Sequence, residues 1–268
     1  MQVVSDGAIV TGGAQGIGRG IAEELLEQGT SVVLADINEE SAENTAMELS
    51  DRFEAEAIAI HCDVADQGSV RSMVSGATDH LGEIGILVNN AGAAELARTW
   101  EMAEEEWRRT IDVCLNGPFL CTKAVLPHLF DNDGGGIVNV SSLNYVAATD
   151  GLAHYSAAKA GVSQFTEVVA AEVGRYGVRV NAVAPGSTRT PMTEENGLLK
   201  GDIGEEFLNR TPLGRIGEPE DIAKVVAFLL SDYGRWVTGE TICVDGGQHI
   251  RGLHSYWDVL DEMGAFDE

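Results

Sequence analysis

The chain has 268 residues, of which 43 are acidic and 17 basic, so its formal net charge is −26. Such a charge argues against nucleic acid as a partner, because phosphates are bound by Lys and Arg, and it disfavours anionic membrane surfaces for the same reason. Since 44% of the residues are hydrophobic, the chain has enough apolar material for a sizeable core, and this composition disfavours intrinsic disorder.

Targeting and metal signals are missing from the sequence. The segment from Met1 to Gly7 has no basic stretch followed by an apolar one, and no run of about 18 apolar residues follows, so we expect a cytoplasmic protein without a membrane helix. None of the six histidines has a partner at a metal-ligand spacing. The cysteines form no CxxC pair, so we expect reduced, buried thiols and no metal site; they are Cys62, Cys114, Cys121 and Cys243.

Short, nearly continuous apolar runs alternate with longer helical patterns along most of the chain. Such runs are typical of strands that are buried on both faces of a parallel sheet. The predicted strands are Ala8–Thr11, Ser31–Asp36, Ala57–Cys62, Ile84–Asn89, Gly136–Ser141, Val178–Ala184 and Thr241–Asp245. The predicted helices include Gly18–Gln28, Glu39–Arg52, Ser69–Leu81, Tyr155–Tyr176 and Glu220–Leu230. This alternation predicts a Rossmann-like, doubly wound α/β sandwich of three layers around a seven-stranded parallel sheet.

No repeat or composition break divides the chain, so residues 1–268 are predicted to form one domain. Two regions do not follow the alternation of strands and helices. Residues 191–212 form a long, polar, glycine-containing insertion, which we expect to act as a substrate loop. Residues 248–268 form a C-terminal tail with Tyr256, Trp257, Leu260 and Met263 on one helical face, so we expect the tail to pack at a subunit interface.

A glycine-rich turn, Thr11 to Gly18, joins the first predicted strand to the first helix. Glycines let the backbone turn sharply and approach a pyrophosphate, while the helix N-terminus offers free N–H groups. A glycine-rich stretch alone also fits an ordinary left-handed turn. Its position between a strand and a helix of a βαβ unit favours dinucleotide binding.

Asp36 ends the second predicted strand, 18 residues beyond Gly18. A carboxylate there accepts hydrogen bonds from the ribose hydroxyls of adenosine and repels a 2′-phosphate. A solvated acid at a strand end is the alternative interpretation. No basic residue directly follows Asp36, and Gln15 lies in the turn where a cation would favour NADP. The sequence therefore favours NAD as the cofactor.

Tyr155 and Lys159 are four residues apart and so share one face of a predicted helix. An ammonium close to a phenol stabilises the phenolate, which suits a group that exchanges a proton with an alcohol or a carbonyl. Ser142 follows the fifth strand at the sheet edge where open α/β folds bind ligands. The Tyr-x-x-x-Lys spacing is weak evidence alone, but with Ser142 and the glycine turn it predicts a catalytic set.

With these motifs in order, the sequence resembles the short-chain dehydrogenase/reductase family, in its single-domain, NAD-preferring form. The resemblance extends from about Ala8 to Gly247 and includes Asn89-Asn90-Ala91-Gly92 and Asp245-Gly246-Gly247. It implies that Tyr155 is the acid/base, Lys159 also holds the nicotinamide ribose, and Ser142 orients the substrate. The cofactor contacts that it implies are Gly12, Gln15, Gly16, Ile17, Gly18, Asp36, Asp63, Val64, Asn90, Ala91, Gly92, Tyr155, Lys159, Pro185, Gly186, Thr188 and Thr190.

One position departs from the family pattern. Where the family usually has a catalytic Asn, the stretch Cys114-Leu115-Asn116-Gly117 places Cys114. By resemblance, the main-chain carbonyl at this position holds a water that links Lys159 to solvent. Cys114 still supplies a carbonyl, so we expect a tolerated replacement if the helix keeps its bend, with a slower proton relay as the alternative.

The predicted activity is NAD-dependent hydride transfer between nicotinamide and a secondary alcohol or ketone. Because the substrate loop has no basic cluster for a phosphorylated carrier, the sequence favours a sugar, sugar acid or polyol as the small-molecule substrate. The alternatives are reduction of a 3-oxoacyl thioester and a catalytically idle NAD-binding regulator. We expect His154, which precedes Tyr155, to lie at the surface, with a position facing the site entrance as the alternative. Asn144 and Tyr145 are expected either to line the substrate pocket or to be ordinary loop residues.

Two expectations concern the whole molecule. Relatives commonly form homotetramers or dimers through their long helices, and the apolar helices around Leu115–Leu129 and Val162–Val173 fit that role. The chain has only four lysines among 17 basic residues, together with abundant acids. This composition predicts a halophilic protein, because concentrated salt screens the repulsion between its charges.

Overall fold

A computed structural model describes residues 3, 5–132, 134–195, 199 and 201–252. Its seven strands form one parallel sheet in the order β3-β2-β1-β4-β5-β6-β7. The strand bounds are Gly7–Thr11 for β1, Ser31–Asp36 for β2, Ala57–His61 for β3, Ile86–Asn89 for β4, Gly135–Val140 for β5, Val178–Pro185 for β6 and Thr241–Val244 for β7. The predicted sheet is confirmed, and each predicted strand end lies within two residues of the observed one.

Helices cover both faces of this sheet, as the alternation predicted. Their bounds are Gly16–Glu27 for α1, Glu39–Arg52 for α2, Gln67–Leu81 for α3, Glu104–Ile111 for α4, Gly117–Asp131 for α5, Ala153–Val173 for α6, Pro191–Glu195 for α7, Gly201–Arg210 for α8, Pro219–Leu230 for α9 and Gln248–Arg251 for α10. The predicted helix Tyr155–Tyr176 is corrected at its end, where Gly174–Tyr176 tightens into a 3-10 turn. Gly177 then takes a left-handed conformation with φ +74°, which allows the chain to leave the helix and enter β6.

Two apolar cores, one on each side of the sheet, fix the three layers. On one side α1 and α9 bury Ile21, Leu25 and Val226 against the sheet. On the other side α3, α5 and α6 contribute residues such as Met73 and Val125. The central strands β1 and β4 are buried at every position, which explains why their sequences are continuous apolar runs rather than alternating ones.

The sheet order reverses between β1 and β4, because the chain first builds outward through β2 and β3 and then returns to the other side of β1. In open α/β sheets, ligands bind at such a switch point, beyond the carboxyl ends of the strands. The segments that follow β1, β4 and β5 carry the glycine turn, Asn90 and Ser142. The topology therefore brings these predicted site residues to one edge of the sheet.

Much of the insertion at residues 191–212 is helical, which corrects the expectation of a polar loop. It contains α7 and α8, and Ile203 and Phe207 on α8 are buried, with Leu152 and Ile216 packed against them. Spaced four residues apart, the two buried side chains share one face of the helix, and their burial gives this otherwise polar segment a reason to fold.

The end of the chain beyond α10 lies outside the described residues, and so does the predicted apolar face of the tail. Among the helices that the structure describes, none is both long enough and apolar enough to span a membrane.

Candidate active site

The glycine turn at the end of β1 has the shape that a phosphate group needs. Gly12 and Gly16 have φ values of +62° and +57°, which L side chains rarely adopt. A Cβ atom on Gly18 would lie 2.1 Å from the carbonyl oxygen of Gly12, so only glycine fits there. The side chain of Asn90 closes the other side by donating to the carbonyl oxygens of Thr11 and Gly12 at 2.9 and 3.0 Å.

The N-terminus of α1 opens onto this turn. Within the described residues, the side chain of Gln15 makes no capping hydrogen bond, and the first turn of the helix contains no acidic residue. The first N–H groups of α1 are therefore left for a ligand, and the helix dipole favours an anion there. Thr190 and Pro191 lie against Gly16 on the opposite wall, since a Cβ on Gly16 would be 3.4 Å from that of Thr190. The residues present thus fit a pyrophosphate.

Asp36 lies directly beside the turn. Its Oδ2 accepts the N–H of Ala14 at 3.1 Å, and its Oδ1 accepts the N–H of Asn38 at 3.0 Å. These two bonds hold the carboxylate at the end of β2, and each oxygen keeps a further lone pair for a ribose hydroxyl. The predicted juxtaposition of an acid with the glycine turn is therefore present in the folded chain.

Three further residues among the implied cofactor contacts follow the ends of β3 and β4. Asp63 is held by its own turn, since its Oδ1 accepts the N–H of Ala65 at 2.9 Å. Val64 is buried against Gly117, where a Cβ would come within 2.9 Å of the valine side chain. Ala91 donates its N–H to the Thr11 hydroxyl at 3.1 Å, which ties the segment after β4 to β1.

Tyr155 and Lys159 share one face of α6, as predicted. The Nζ atom of Lys159 lies 5.4 Å from the centroid of the Tyr155 ring and donates a hydrogen bond to the Val140 carbonyl at 2.7 Å. Lys159 is almost fully buried, and its ammonium carries two more donors that remain available to a ligand. The Tyr155 hydroxyl makes no hydrogen bond within the part of the chain that the structure describes.

Ser141, which the sequence reasoning did not single out, fixes α6 against β5. Its hydroxyl lies 3.0 Å from the carbonyl oxygen of Lys159 and 3.0 Å from the Ser163 hydroxyl. These bonds join the end of β5 to the second and third turns of α6. They therefore fix the position of Tyr155 and Lys159 relative to the edge of the sheet. The sequence signal available for Ser141 was its position next to Ser142. This signal is weak, because a buried serine can have many other structural roles.

Ser142 begins a short 3-10 turn, Leu143–Tyr145, that packs against α6. Its hydroxyl donates to Oδ1 of Asn144 at 3.1 Å and accepts the Asn144 backbone N–H at 3.2 Å. Asn144 in turn donates from Nδ2 to the Thr149 hydroxyl at 2.8 Å. Asn144 therefore orients the Ser142 hydroxyl, whereas the sequence left open whether it was an ordinary loop residue.

Comparisons with known proteins agree with this arrangement. A sequence profile described as enoyl-(acyl carrier protein) reductase matches residues 12–249. The chain belongs to the short-chain dehydrogenase/reductase family. It is an oxidoreductase that acts on CH–OH or keto groups.

Individual relatives cover nearly the whole chain. A subunit of a hydroxy(phenyl)methylsuccinyl-CoA dehydrogenase from Thauera aromatica is 40% identical over 91% of this chain and 96% of its own. A 3-oxoacyl-(acyl-carrier-protein) reductase from Thermotoga maritima is 38% identical over 89% and 96%. Among solved structures, a short-chain dehydrogenase/reductase from Mycobacterium ulcerans has a TM-score of 0.94 at 29% identity, covering 100% of this chain and 98% of that one. A 3-ketoacyl-(acyl-carrier-protein) reductase from Brucella melitensis, complexed with NADH, has a TM-score of 0.83 at 30% identity, covering 91% and 98%.

Cys114, which departs from the family pattern, lies in a π-helical segment, Asp112–Asn116, between α4 and α5. Its fully buried Sγ accepts the N–H of Ala93 at 3.4 Å and donates to the carbonyl of the same residue at 3.3 Å. The helical path is thus interrupted by a π-helical turn at this position, and the thiol holds that turn against the segment after β4. Asn116, two residues later, donates from Nδ2 to Oδ1 of Asp112 at 2.7 Å, so it does not replace the contact between Cys114 and Ala93.

The segment after β6 carries the remaining predicted cofactor contacts. Gly186 must be glycine, because a Cβ there would lie 2.6 Å from that of Asp245. The buried Thr188 hydroxyl donates to the Gly186 carbonyl at 3.0 Å, so it stabilises its own turn in this structure. Its implied contact with the cofactor stays a prediction.

His154 is buried, which corrects the expectation of a surface position. Its side chain has 0% exposure, and its Nε2 lies 3.5 Å from Oε1 of Glu106 on α4. Within the described residues, neither ring nitrogen makes a hydrogen bond. Burial lowers the pKa of His154, against an opposing effect of Glu106. The first turn of α6 is enclosed by α4, and the pattern around Tyr155 gave no sign of this packing.

Proposed function

We propose that this oxidoreductase transfers hydride between NAD and a secondary alcohol or ketone, with Tyr155 as the proton donor and acceptor. The observation that supports this most directly is the pairing of the Tyr155 phenol with the buried Lys159 ammonium, beside Ser142 at the carboxyl edge of the sheet. Bound NAD would supply the hydride chemistry, while the chain positions the substrate and handles the proton.

In the proposed mechanism, Ser142 donates a hydrogen bond to the substrate oxygen and so holds the reacting carbon in place. This hydroxyl now donates to Asn144, so it turns its hydrogen from Oδ1 of Asn144 to the substrate. Tyr155 gives its proton to a carbonyl oxygen during reduction and takes one from the alcohol during oxidation. The Lys159 ammonium stabilises the phenolate between these events.

A conservative substitution tests the proposed acid/base. Tyr155→Phe removes the hydroxyl and leaves the ring, so we expect kcat to fall by about 10²–10⁴-fold while NADH binding persists. Tyr233→Phe at an exposed position is the matched control and should keep wild-type activity. Substantial turnover by Tyr155→Phe, measured by NADH absorbance, would rule out the assignment.

The preference for NAD over NADP rests on Asp36. Its carboxylate lies beside the glycine turn, where it would repel the 2′-phosphate of NADP. We expect Asp36→Ser to lower kcat/KM for NADH and to raise it for NADPH, so that the ratio of the two falls at least tenfold. Asp63→Asn, which retains NADH preference in this proposal, is the control. An unchanged ratio in Asp36→Ser would contradict the role of this carboxylate.

For the substrate we propose a sugar, sugar acid or polyol. The supporting observation is that the arginines near the insertion are engaged by carboxylates: Arg189 with Glu194 and Glu218, and Arg215 with Asp221. A phosphorylated carrier would have to compete with these bonds for the guanidinium groups.

A 3-oxoacyl thioester is the second candidate, because relatives with 37–40% identity have names that refer to thioester substrates. A panel of sugars, polyols and acetoacetyl-CoA, each assayed with NAD(H) and NADP(H), separates the two classes. Turnover of acetoacetyl-CoA without turnover of any polyol would replace the first candidate by the second. NADH binding without any turnover across the panel would leave the idle regulator.

We further propose a homotetramer built by two-fold contacts of the α5–α6 face. Phe119 and Val168 lie on this face, and 46% and 49% of their surface is exposed in a single chain. A contiguous exposed patch of apolar side chains often marks a protein–protein interface. The predicted roles of the C-terminal tail at such an interface and of residues 191–212 as a substrate loop remain part of this proposal.

A further inference from the structure

Three metal-ligating side chain types meet where β7 ends. Cys243 and Asp245 are two residues apart on an extended chain, so their side chains leave the same face. His249 lies four residues beyond Asp245, after a turn in which Gly246 and Gly247 have φ values of +61° and +87°. This turn folds the chain back, so that one ligand atom from each of the three side chains lies within 4.8 Å of the others.

The central ligand, Asp245, is held rigidly. Its side chain is only 2% exposed, and a Cβ on Gly186 would lie 2.6 Å from its own Cβ. Its Oδ1 accepts the N–H of Gly247 at 3.0 Å, and its Oδ2 accepts the N–H of His249 at 2.6 Å. These backbone bonds explain why an acid ends β7, but they do not require a thiol or an imidazole nearby.

The imidazole and the thiol complete the cluster from two sides. Nδ1 of His249 lies 2.8 Å from Oδ2 of Asp245, within hydrogen-bonding distance, so a small outward shift of the ring would let both atoms bind one ion. The Cys243 thiol is half-buried and lies 3.8 Å from the hydroxyl of Tyr145, which belongs to the turn that starts at Ser142. Oδ1 of Asp245 keeps a free lone pair, and Oδ2 regains one when Nδ1 of His249 turns from the carboxylate to the ion, so a cation does not displace the backbone bonds of Asp245.

We propose that Cys243, Asp245 and His249 form a binding site for a divalent transition metal ion of the zinc type. Thiolate, imidazole and carboxylate are the ligands that Zn²⁺ takes in proteins, usually in tetrahedral sites. Binding releases the thiol proton of Cys243, and the His249 ring proton resides on Nε2. The charges of thiolate and carboxylate then balance the ion, and a water or the Tyr145 hydroxyl fills the fourth position.

A bound ion would give the end of β7 a further structural role. No metal-ligand spacing was recognisable in the sequence, because the three residues span a turn and come from a strand and the segment after it. An ion there would join β7 and α10 to Tyr145, and through it to the segment that carries Ser142. The site is independent of the hydride-transfer chemistry proposed above, because it uses none of Ser142, Tyr155 or Lys159.

Cobalt substitution tests the site without reference to turnover. We expect Co²⁺, added to the chelator-treated full chain, to produce the near-ultraviolet charge-transfer band of a thiolate ligand at one ion per chain. We expect Zn²⁺ to abolish this band by competition and to raise Tm, since it binds only the folded chain. Cys243→Ser and His249→Ala should each remove the band.

Matched controls lie elsewhere in the chain. Cys62→Ser and His80→Ala change a thiol and an imidazole outside the cluster, so both variants should retain the band and the Zn²⁺ effect. His249 is 43% exposed, so His249→Ala should fold normally, and far-ultraviolet circular dichroism checks this. A wild-type chain without a stoichiometric band, or a band that either Cys243→Ser or His249→Ala leaves intact, overturns the three-ligand site.

Discussion

Cys114 shows how a single side chain adapts the family pattern. Its Sγ both accepts from and donates to the backbone of Ala93, at 3.4 and 3.3 Å, so one atom performs both roles. A Cβ on Gly92 would lie 3.8 Å from this sulfur and 3.8 Å from Nζ of Lys159. The thiol therefore positions the segment between the glycine turn and Lys159, without needing to contact a substrate.

Substitutions at this position separate positioning from chemistry. Cys114→Asn retains a donor and an acceptor, so we expect kcat and its pH profile to be unchanged. Cys114→Ala removes both, and we expect kcat to fall about tenfold, since a lost hydrogen-bond pair to a buried loop is worth ~1–1.5 kcal/mol. Cys121→Ala, at an equally buried thiol on α5, is the control for a general packing effect. A pH profile shifted in Cys114→Asn would instead indicate an altered proton relay.

At the scale of elements, the contact between α4 and α6 contains a titratable pair. His154 faces Glu106 of α4 at 3.5 Å, and Glu95 adds a further negative charge. Burial nevertheless lowers the pKa of His154 below its ordinary value. The unfolded chain therefore binds a proton at His154 at a higher pH than the folded chain does.

This difference predicts how stability changes with pH. The contribution of His154 is fully present above about pH 6.5, the ordinary histidine pKa, and is lost as the pH falls towards the lower pKa of the folded chain. His154→Leu, which cannot titrate, should lose less unfolding free energy than wild type over this range. His80→Gln, at an exposed histidine, should follow wild type. Urea titrations at several pH values measure this, and parallel losses in wild type and His154→Leu would contradict it.

At the scale of the whole molecule, the proposed oligomer depends on the apolar α5–α6 face. Phe119 packs edge-on to Phe165 at 6.4 Å between ring centroids, and Lys123 lies over the Phe119 ring. We expect Phe119→Glu combined with Val168→Glu to shift the mass in light scattering to that of a smaller assembly, because buried like charges repel. Phe228→Glu, on α9 at the opposite side of the sheet, tests whether that face also forms a subunit contact. A wild-type monomer would refute the proposed tetramer.

The net charge of −26 predicts an unusual response to salt. Exposed acids such as Glu39, Glu40 and Glu43 crowd the outer face of α2, and their repulsion is screened over ~3 Å at molar ionic strength, compared with ~10 Å at 0.1 M. We propose a halophilic protein whose Tm rises with KCl. Glu43→Lys, beyond the first turn of α2, should raise Tm in low salt and reduce the salt dependence. A Tm that does not change with KCl would contradict the proposal that the protein is halophilic.

Local sequence determined much of the fold. Continuous apolar runs located the strands within two residues, because a strand buried on both faces must be apolar at every position. The glycine turn was equally recognisable from the sequence, since the backbone geometry at Gly12 and Gly18 excludes a side chain. The shared face of Tyr155 and Lys159 followed from helical spacing alone.

Tertiary structure decided the features that depend on residues far apart in sequence. The partner of Cys114 is 21 residues away, the enclosure of His154 comes from α4, and α8 owes its buried face to Leu152 and Ile216. The meeting of Cys243 with His249 requires a turn whose direction no local pattern gives. Periodicity reports which face of an element is buried, whereas only the packed chain specifies which side chains meet there.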